Sequence, residues 1–227
     1  MDKKELQNPA LYTNRELSWL LFNKRVLSEA RDKQLLLFER LKFLSITASN
    51  LDEFFMVRIG SLVDMIHAEY TKKDIAGMSA KEQLDALMEE THKFAALQYS
   101  TYNRMLLPQL RANGLNFVEH HEQLTERQAQ YVDEYFEENV YPVLTPMAVD
   151  SSRPFPLIRN KTLNIGALVA KKGEKDTEIE FATVQVPSVL PRVVRIPAAK
   201  EGDTEVAVLL LEEIIERNIS KLFLNYN

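Results

Sequence analysis

The 227-residue chain contains no cysteine. That absence excludes disulfide frameworks, zinc–thiolate centres and thiol nucleophiles, and it makes the cytosol the expected compartment. Glycine is scarce, with six residues and no cluster, which argues against a phosphate cradle built from the backbone amides of a glycine-rich loop. The N-terminus MDKKELQNPALYTNRELS lacks a signal-peptide core, and no apolar run approaches ~18 residues, so no transmembrane segment is expected. The positive charge needed to coat nucleic acid is missing as well: the formal net charge is −5. Charge is nonetheless uneven. Residues 1–113 carry 16 Lys+Arg against 15 Asp+Glu, and the remaining 114 carry 12 against 18. A polyanion would find its better surface in the first half.

What is present is an ordinary globular balance of 45% hydrophobic and 27% charged residues, enough to bury a core in one large or two modest domains. Asn14 or Thr13 precedes a helix on which Trp19, Phe22, Val26 and Ala30 recur at helical spacing beside Leu17, Leu20 and Leu27. So much apolar circumference predicts a mostly buried helix. A second helix begins near Leu36 with Leu37, Leu41 and Leu44 on one face. A polar knot, Thr47-Ala48-Ser49-Asn50, interrupts it. A third helix is expected from Leu51 to about Tyr70, with Leu51, Phe55, Ile59, Leu62 and Ile66 as its stripe. Gly77 and Ser79 read as breaker and N-cap before a long fourth helix, roughly Ala80 to Arg111, which Asn113-Gly114 ends. Pro108 predicts a kink or an early stop in it. Short connections make this an antiparallel bundle.

Beyond Gly114 the character changes. Leu115–Val118 is a strand candidate, and Thr125 with Gln128 fits a capping box opening a helix to about Val140. Pro142, Pro146, Pro154 and Pro156 punctuate a loop. TLNIGALVAK, EIEFATVQV and RVVRIP are β-branched runs separated by turn signals at Lys172-Gly173, Pro187 and Pro191. VAVLLLEEIIERNISKLF is compatible with a strand that becomes a helix. The expected fold is therefore α+β: an N-terminal antiparallel helical bundle over 1–113 and a mixed α+β domain over 114–227. The chain stops at Phe223-Leu-Asn-Tyr-Asn without a tapering signal, which leads us to expect a truncated second domain and a fragment of a longer protein.

Chemistry-bearing residues are few. His120-His121 lacks the i, i+4 spacing of a helical metal pair, and neighbouring residues should point apart; His67 and His92 are isolated. No Ser-His-Asp set or Glu-x-x-His motif appears. Lys24, Arg25, Arg31, Lys33, Arg40, Lys42 and Arg58 punctuate the first three helices, either as solvated faces with local ion pairs or as a phosphate-facing patch. In the stretch ITASNLDEFFMVRIG, Ser49 or Asn50 would cap the third helix, placing Asp52 and Glu53 at its favourable N-terminus and Phe54, Phe55 and Met56 in the core. What the cap leaves over is a density of amide and hydroxyl groups between two helices. An Asn amide offers a donor and an acceptor side by side, suited to a planar heterocycle.

Glu16-Leu17-Ser18-Trp19-Leu20, Phe22-Asn23, Arg25-Val26-Leu27, Glu39-Arg40, Phe43-Leu44 and Asn50-Leu51-Asp52-Glu53-Phe54 together resemble the N-terminal helical domain of bacterial polyphosphate kinases. Val143-Leu144-Thr145-Pro146 and Pro154-Phe155-Pro156 resemble the following head domain, making residues 114–227 head-like. Where the family often has a second Asn, this chain has Ser49. The resemblance implies reversible transfer of the terminal phosphate of ATP to inorganic polyphosphate, ATP/ADP and Mg2+ as cofactors, and Asn50 as an ATP-binding residue against the base. It implies homo-oligomer formation through the head-like domain and a cytoplasmic protein, with peripheral membrane association compatible. It also implies that the catalytic histidine, the magnesium ligands and the phosphate-handling residues lie outside these 227 residues; none of the four histidines matches the catalytic position. Two readings of other classes stand beside it: a stand-alone helical interaction module without catalysis, and a nucleic-acid binder using residues 24–42, which the acidic second half disfavours.

Overall fold

The computed structural model describes residues 5–149, 155–170, 172 and 179–224. It divides into two compact units, residues 1–110 and 111–227.

In the first unit, α1 (Arg15–Arg31) starts at Asn14, whose side chain accepts from the amides of Glu16 and Leu17. Asn14 Nδ2 donates onward to Asp74 Oδ2 and Gln83 Oε1, fixing the helix start against the loop and helix that follow later in the chain. α2 (Leu37–Phe54) runs without a break into a π-helical turn (Phe55–Ile59) and then α3 (Gly60–His67). The expected interruption at the knot does not occur. Thr47, Ser49 and Asn50 lie inside α2, so neither Ser49 nor Asn50 is a cap. Thr47 remains compatible with the helix because its Oγ1 bonds back to the Leu44 carbonyl at 2.7 Å.

α4 (Ala80–Thr101) opens with the expected Ser79, which forms a reciprocal capping box with Glu82. A second π-helical turn (Tyr102–Leu106) leads into α5 (Leu107–Ala112). Pro108 therefore neither stops the helix nor ends it early. The amide of Leu107 bonds to the Tyr102 carbonyl, and the widened turn takes up the proline, which has no amide of its own to give. Pairings along α1 set the directions. Ala30 meets Arg40, Asn23 meets Thr47 and Trp19 meets Phe54, so α2 runs antiparallel to α1. Asn14 meets Gln83, Lys24 meets Glu90 and Arg31 meets Thr101, so α4 runs parallel to it. The four expected helices are thus three long ones.

The buried residues also differ from the expected stripes. α1 buries Leu20, Asn23, Leu27 and Ala30, whereas Leu21 and Phe22 are 52% and 45% exposed. Beyond the knot the inward residues are Phe54, Ile59 and Leu62, and Phe55 and Met56 face solvent. A five-residue step from Phe54 to Ile59 replaces the four-residue step of a regular helix, which displaces Phe55 from the expected stripe. Leu87 and Phe94 on α4 complete two apolar clusters.

In the second unit α5 gives way to the first strand at Gly114, whose φ of +79° suits a residue without a Cβ. β1 (Leu115–Val118), α6 (Glu126–Tyr135, capped by the Thr125–Gln128 box) and a π-helical turn (Phe136–Val140) follow as the sequence anticipates. β2 (Pro146–Val149) is a strand where a loop is expected. Its proline is the first residue of an edge strand, a position that requires no amide from it. β3 (Asn164–Val169), β4 (Glu180–Gln185), β5 (Val193–Ile196) and β6 (Val206–Leu210) match the β-branched runs, and β6 continues directly into α7 (Leu211–Arg217). Pro154 and Gly173 fall outside the described residues. One sheet has the order β1-β6-β5, with β1 parallel and β5 antiparallel to β6; the other is an antiparallel β2-β4-β3. Val132, Phe136, Leu209, Leu211, Ile214 and Ile215, all fully buried, form the core between the first sheet and α6 and α7.

Candidate functional site

The polar knot belongs to a seam of side-chain amides and hydroxyls between α1, α2 and α4. Asn23 sits on the buried stripe of α1, and its Nδ2 donates to the Thr47 carbonyl at 3.1 Å. Gln98 Nε2 donates to Thr47 Oγ1 at 3.0 Å. Asn50, half-buried at the end of this seam, donates from Nδ2 to Asn23 Oδ1 at 3.1 Å. Asn23 and Thr47, both fully buried, are satisfied without a helix end nearby, so the seam spends polar atoms to fix side-chain orientation inside an otherwise apolar bundle.

Immediately above Asn50 lies a cleft of about 220 Å3 lined by Trp19, Phe22, Asn50, Glu53, Phe54, Val57 and Arg58. Trp19 and Phe54 stack at 4.4 Å with 12° between their planes. Phe55 meets Phe54 edge-on. The cleft is smaller than the roughly 300–1,000 Å3 that encloses a whole drug-sized ligand, and so suits one heterocycle whose substituents extend outside. Val57 and Arg58 reach it because the π-helical turn carries them; such turns recur where a helix presents side chains to a ligand. Arg58 makes only a loose pair with Glu16, at 3.8 Å, which leaves donors at the rim. The chemical offer is thus an apolar, aromatic wall, one oriented amide, and one cation and one carboxylate at the mouth. Glu53 is the single carboxylate among the lining residues. None of the histidines lines the cleft.

Of the lining residues, Asn50 is singled out in the sequence as a base ligand and Arg58 as one member of the basic set. Asn23 was legible in principle, since an Asn between Leu20 and Leu27 on a buried helical face requires a partner. Trp19, Phe22 and Phe54 read only as core, and Val57 and Arg58 depend on a π-helical turn that has no sequence signature. Most of the other basic residues have partners within the unit, which favours local pairing over a phosphate patch. Lys24 pairs with Glu90 at 2.7 Å, Arg31 donates to Thr101, and Lys42 lies 3.9 Å from Glu39. Arg40 is buried, with Nε on the Ala30 carbonyl at the end of α1 and a guanidinium nitrogen on Gln109. Arg25 lies over the Phe22 ring instead of pairing along the helix.

The histidine pair in the second unit departs from expectation. Both rings approach one carboxylate: His121 Nδ1 lies 3.2 Å from Glu213 Oε2, which also accepts the His121 backbone amide at 2.9 Å, and His120 Nδ1 lies 3.6 Å from Glu213 Oε1. Successive residues converge because Glu213 sits between them and bonds the backbone at their junction. Glu216, beside Glu213, is pushed up by burial and then by the negative charge of Glu213. The arrangement ties the turn before α6 to α7.

A helical bundle with an amide-bearing aromatic cleft, followed by a mixed-sheet unit, defines the class: a two-unit α+β protein whose helical unit carries a small polar and aromatic cleft. Residues 12–118 match the polyphosphate kinase N-terminal domain, and residues 127–227 match the polyphosphate kinase middle domain. The chain is 50% identical over 215 residues to the polyphosphate kinase of Lactiplantibacillus plantarum, covering 95% of this chain and 29% of that protein. It is 45% identical over 223 residues to that of Halalkalibacterium halodurans, covering 98% and 31%. The crystal structure of polyphosphate kinase from Porphyromonas gingivalis superposes with a TM-score of 0.82 at 30% identity, covering 95% of this chain and 31% of that one. The chain belongs to the polyphosphate kinase family, and it spans about 30% of the length of the relatives it matches.

Proposed function

We propose that this chain supplies the base-binding wall of a polyphosphate kinase, with Asn50 hydrogen-bonding the purine of ATP, while the groups that transfer phosphate are contributed by other domains. The observation that carries this reading is the cleft itself. Asn50 is held by Asn23 at one edge of an aromatic wall formed by Trp19, Phe22 and Phe54, in a volume that accepts the base and leaves the ribose and phosphates outside. Arg58 stands at the rim, where it meets the anionic part of the nucleotide. The overall reaction proposed is reversible transfer of the ATP terminal phosphate to inorganic polyphosphate.

Mg2+ fits the nucleotide phosphates and not this pocket. Glu53 alone offers one carboxylate, whereas Mg2+ bound by protein takes one or two carboxylates together with substrate phosphates and waters, and those phosphates lie beyond the cleft. Self-association belongs to the same reading. The second unit exposes Leu157, Leu168, Ile179 and Val189 at 97%, 73%, 69% and 79%, apolar surface that an oligomer contact would cover. No helix among the described residues is long and apolar enough to cross a membrane, and a cytoplasmic enzyme with at most peripheral membrane contact agrees with that.

The test is a chimaera in which residues 12–227 replace the matching segment of the L. plantarum enzyme. Asn50→Ala is expected to raise the KM for ATP about tenfold, the loss typical of one paired amide contact to adenine, with kcat nearly unchanged. An unchanged KM removes Asn50 from the base site. Phosphate transfer by the isolated 227-residue chain would overturn the placement of the chemistry elsewhere.

A further inference from the structure

We propose that Asn23 locks the direction of the Asn50 amide, so that the pocket selects purines with a 6-amino group over those with a 6-oxo group. This rests on the base-pocket reading above and adds to it the specificity of the same pocket. The lock follows from what each atom is able to do. The Thr47 carbonyl only accepts hydrogen bonds, so the group of Asn23 facing it at 3.1 Å is the amino nitrogen. Asn23 is fully buried, and its other branch, Oδ1, therefore faces Asn50. Oδ1 also only accepts, so Asn50 must present its own amino nitrogen, as it does at 3.1 Å. A main-chain carbonyl thus fixes the polarity of two successive side chains.

The two branches of an amide diverge, so with Nδ2 committed to Asn23 the Asn50 oxygen is turned from the seam toward the cleft it lines. Among the described residues no donor reaches that oxygen. Nδ2 keeps a second hydrogen on the side nearer the oxygen. The cleft is therefore offered an acceptor beside a donor, in that order. A 6-amino purine presents the complement, an amino donor beside a ring-nitrogen acceptor. A 6-oxo purine presents O6, an acceptor, beside either a second acceptor (N7) or a donor (N1–H). For a base held in the same orientation, pairing with O6 and N1–H requires the Asn50 amide to turn over, and turning it over sets its oxygen against Asn23 Oδ1. The aromatic wall does not distinguish the two classes of base, so the discrimination falls to this relay.

The experiment is an NMR titration of the 15N-labelled 227-residue chain, following the Asn23 and Asn50 side-chain amides with ATP, inosine triphosphate and purine riboside triphosphate, which carries hydrogen at position 6. The expected order of affinity is ATP, then the 6-hydrogen analogue, then inosine triphosphate, with about tenfold or more between ATP and inosine triphosphate. Inosine triphosphate binding as tightly as ATP, or as tightly as the 6-hydrogen analogue, overturns the proposal, while shifts at Asn50 with all three still support the base pocket. No shift at Asn50 with any of them overturns the pocket reading itself. Asn23→Ala, which frees the Asn50 amide to rotate, is expected to narrow the ATP-to-inosine-triphosphate ratio to within about threefold; an undiminished ratio in that variant removes Asn23 from the relay. If Asn23→Ala does not fold, the wild-type series decides alone.

Discussion

Individual side chains in this protein show how far an ion pair at a half-exposed position acts on stability. Glu90 is held at about 2, below its ordinary value of 4.5, first by the Lys24 ammonium at 2.7 Å and then by Lys93 at 3.0 Å. A depressed carboxyl contributes its stabilisation above the ordinary value, and the contribution fades as pH falls from about 4.5 to about 2. Lys24→Met removes the larger cause. Both partners are about a third exposed, so the expected loss at pH 7 is about 0.2–1 kcal/mol, shrinking in 1 M salt. Thermal melts from pH 7 to pH 2 should show the wild type and the variant converging at the acid end; a gap that persists at pH 2 would mean that Lys24 acts by packing. Legibility at this scale was partial for a related reason. The caps at Asn14, Ser79 and Thr125 are visible in sequence because cap and helix are neighbours in the chain. Lys24–Glu90 and Asn23–Asn50 join residues 66 and 27 apart, and their pairing exists only once helix directions are set.

At the scale of elements, the three π-helical turns decide what the sequence pattern conceals. A regular 3.6-residue period places Phe55 inward and makes the knot a natural break. The turn at Phe55–Ile59 instead inserts one residue, so that Phe54, Ile59 and Leu62 stay inward and Val57 and Arg58 reach the cleft. The knot stays helical because tertiary partners hold Thr47 and Asn50 in place. Propensity and capping signals do not weigh such partners. Deleting Met56, which is 42% exposed, is expected to convert the turn into regular α-helix. Phe54 and Ile59 then fall four apart and keep their burial, so stability measured by denaturant should change by no more than about 1 kcal/mol, the centre of the range for single changes. The cleft loses its present placement of Val57 and Arg58, and ATP-induced shifts at the Asn50 side chain should weaken at least severalfold. Loss of folding would show the extra residue to be structural; unchanged nucleotide shifts would show that it does not shape the pocket. The strand β2 was missed for the opposite reason, since Pro146 reads as loop until its edge position is known.

At the scale of the whole molecule, each unit owns its apolar core, and this predicts separable stability. Leu87 lies fully buried in the bundle with Leu20 and Phe54, and Ile214 lies fully buried beside Phe136 and Leu209 in the second unit. Truncating either to Ala leaves a cavity worth about 2–5 kcal/mol. The chain's one tryptophan, Trp19, stacks on Phe54 inside the first unit, so its fluorescence reports that unit alone, while far-UV circular dichroism sums both. Leu87→Ala should lower the urea midpoint seen by fluorescence by the full amount. Ile214→Ala should leave the fluorescence midpoint in place and split the dichroism transition into two steps, the earlier one belonging to the sheet unit. The physical reason is that a cavity destabilises the cooperative unit whose packing it interrupts, and the two clusters share no residue. An Ile214→Ala fluorescence midpoint that falls in step with the dichroism would show that the bundle, and with it the oriented Asn50, depends on the second unit for its stability.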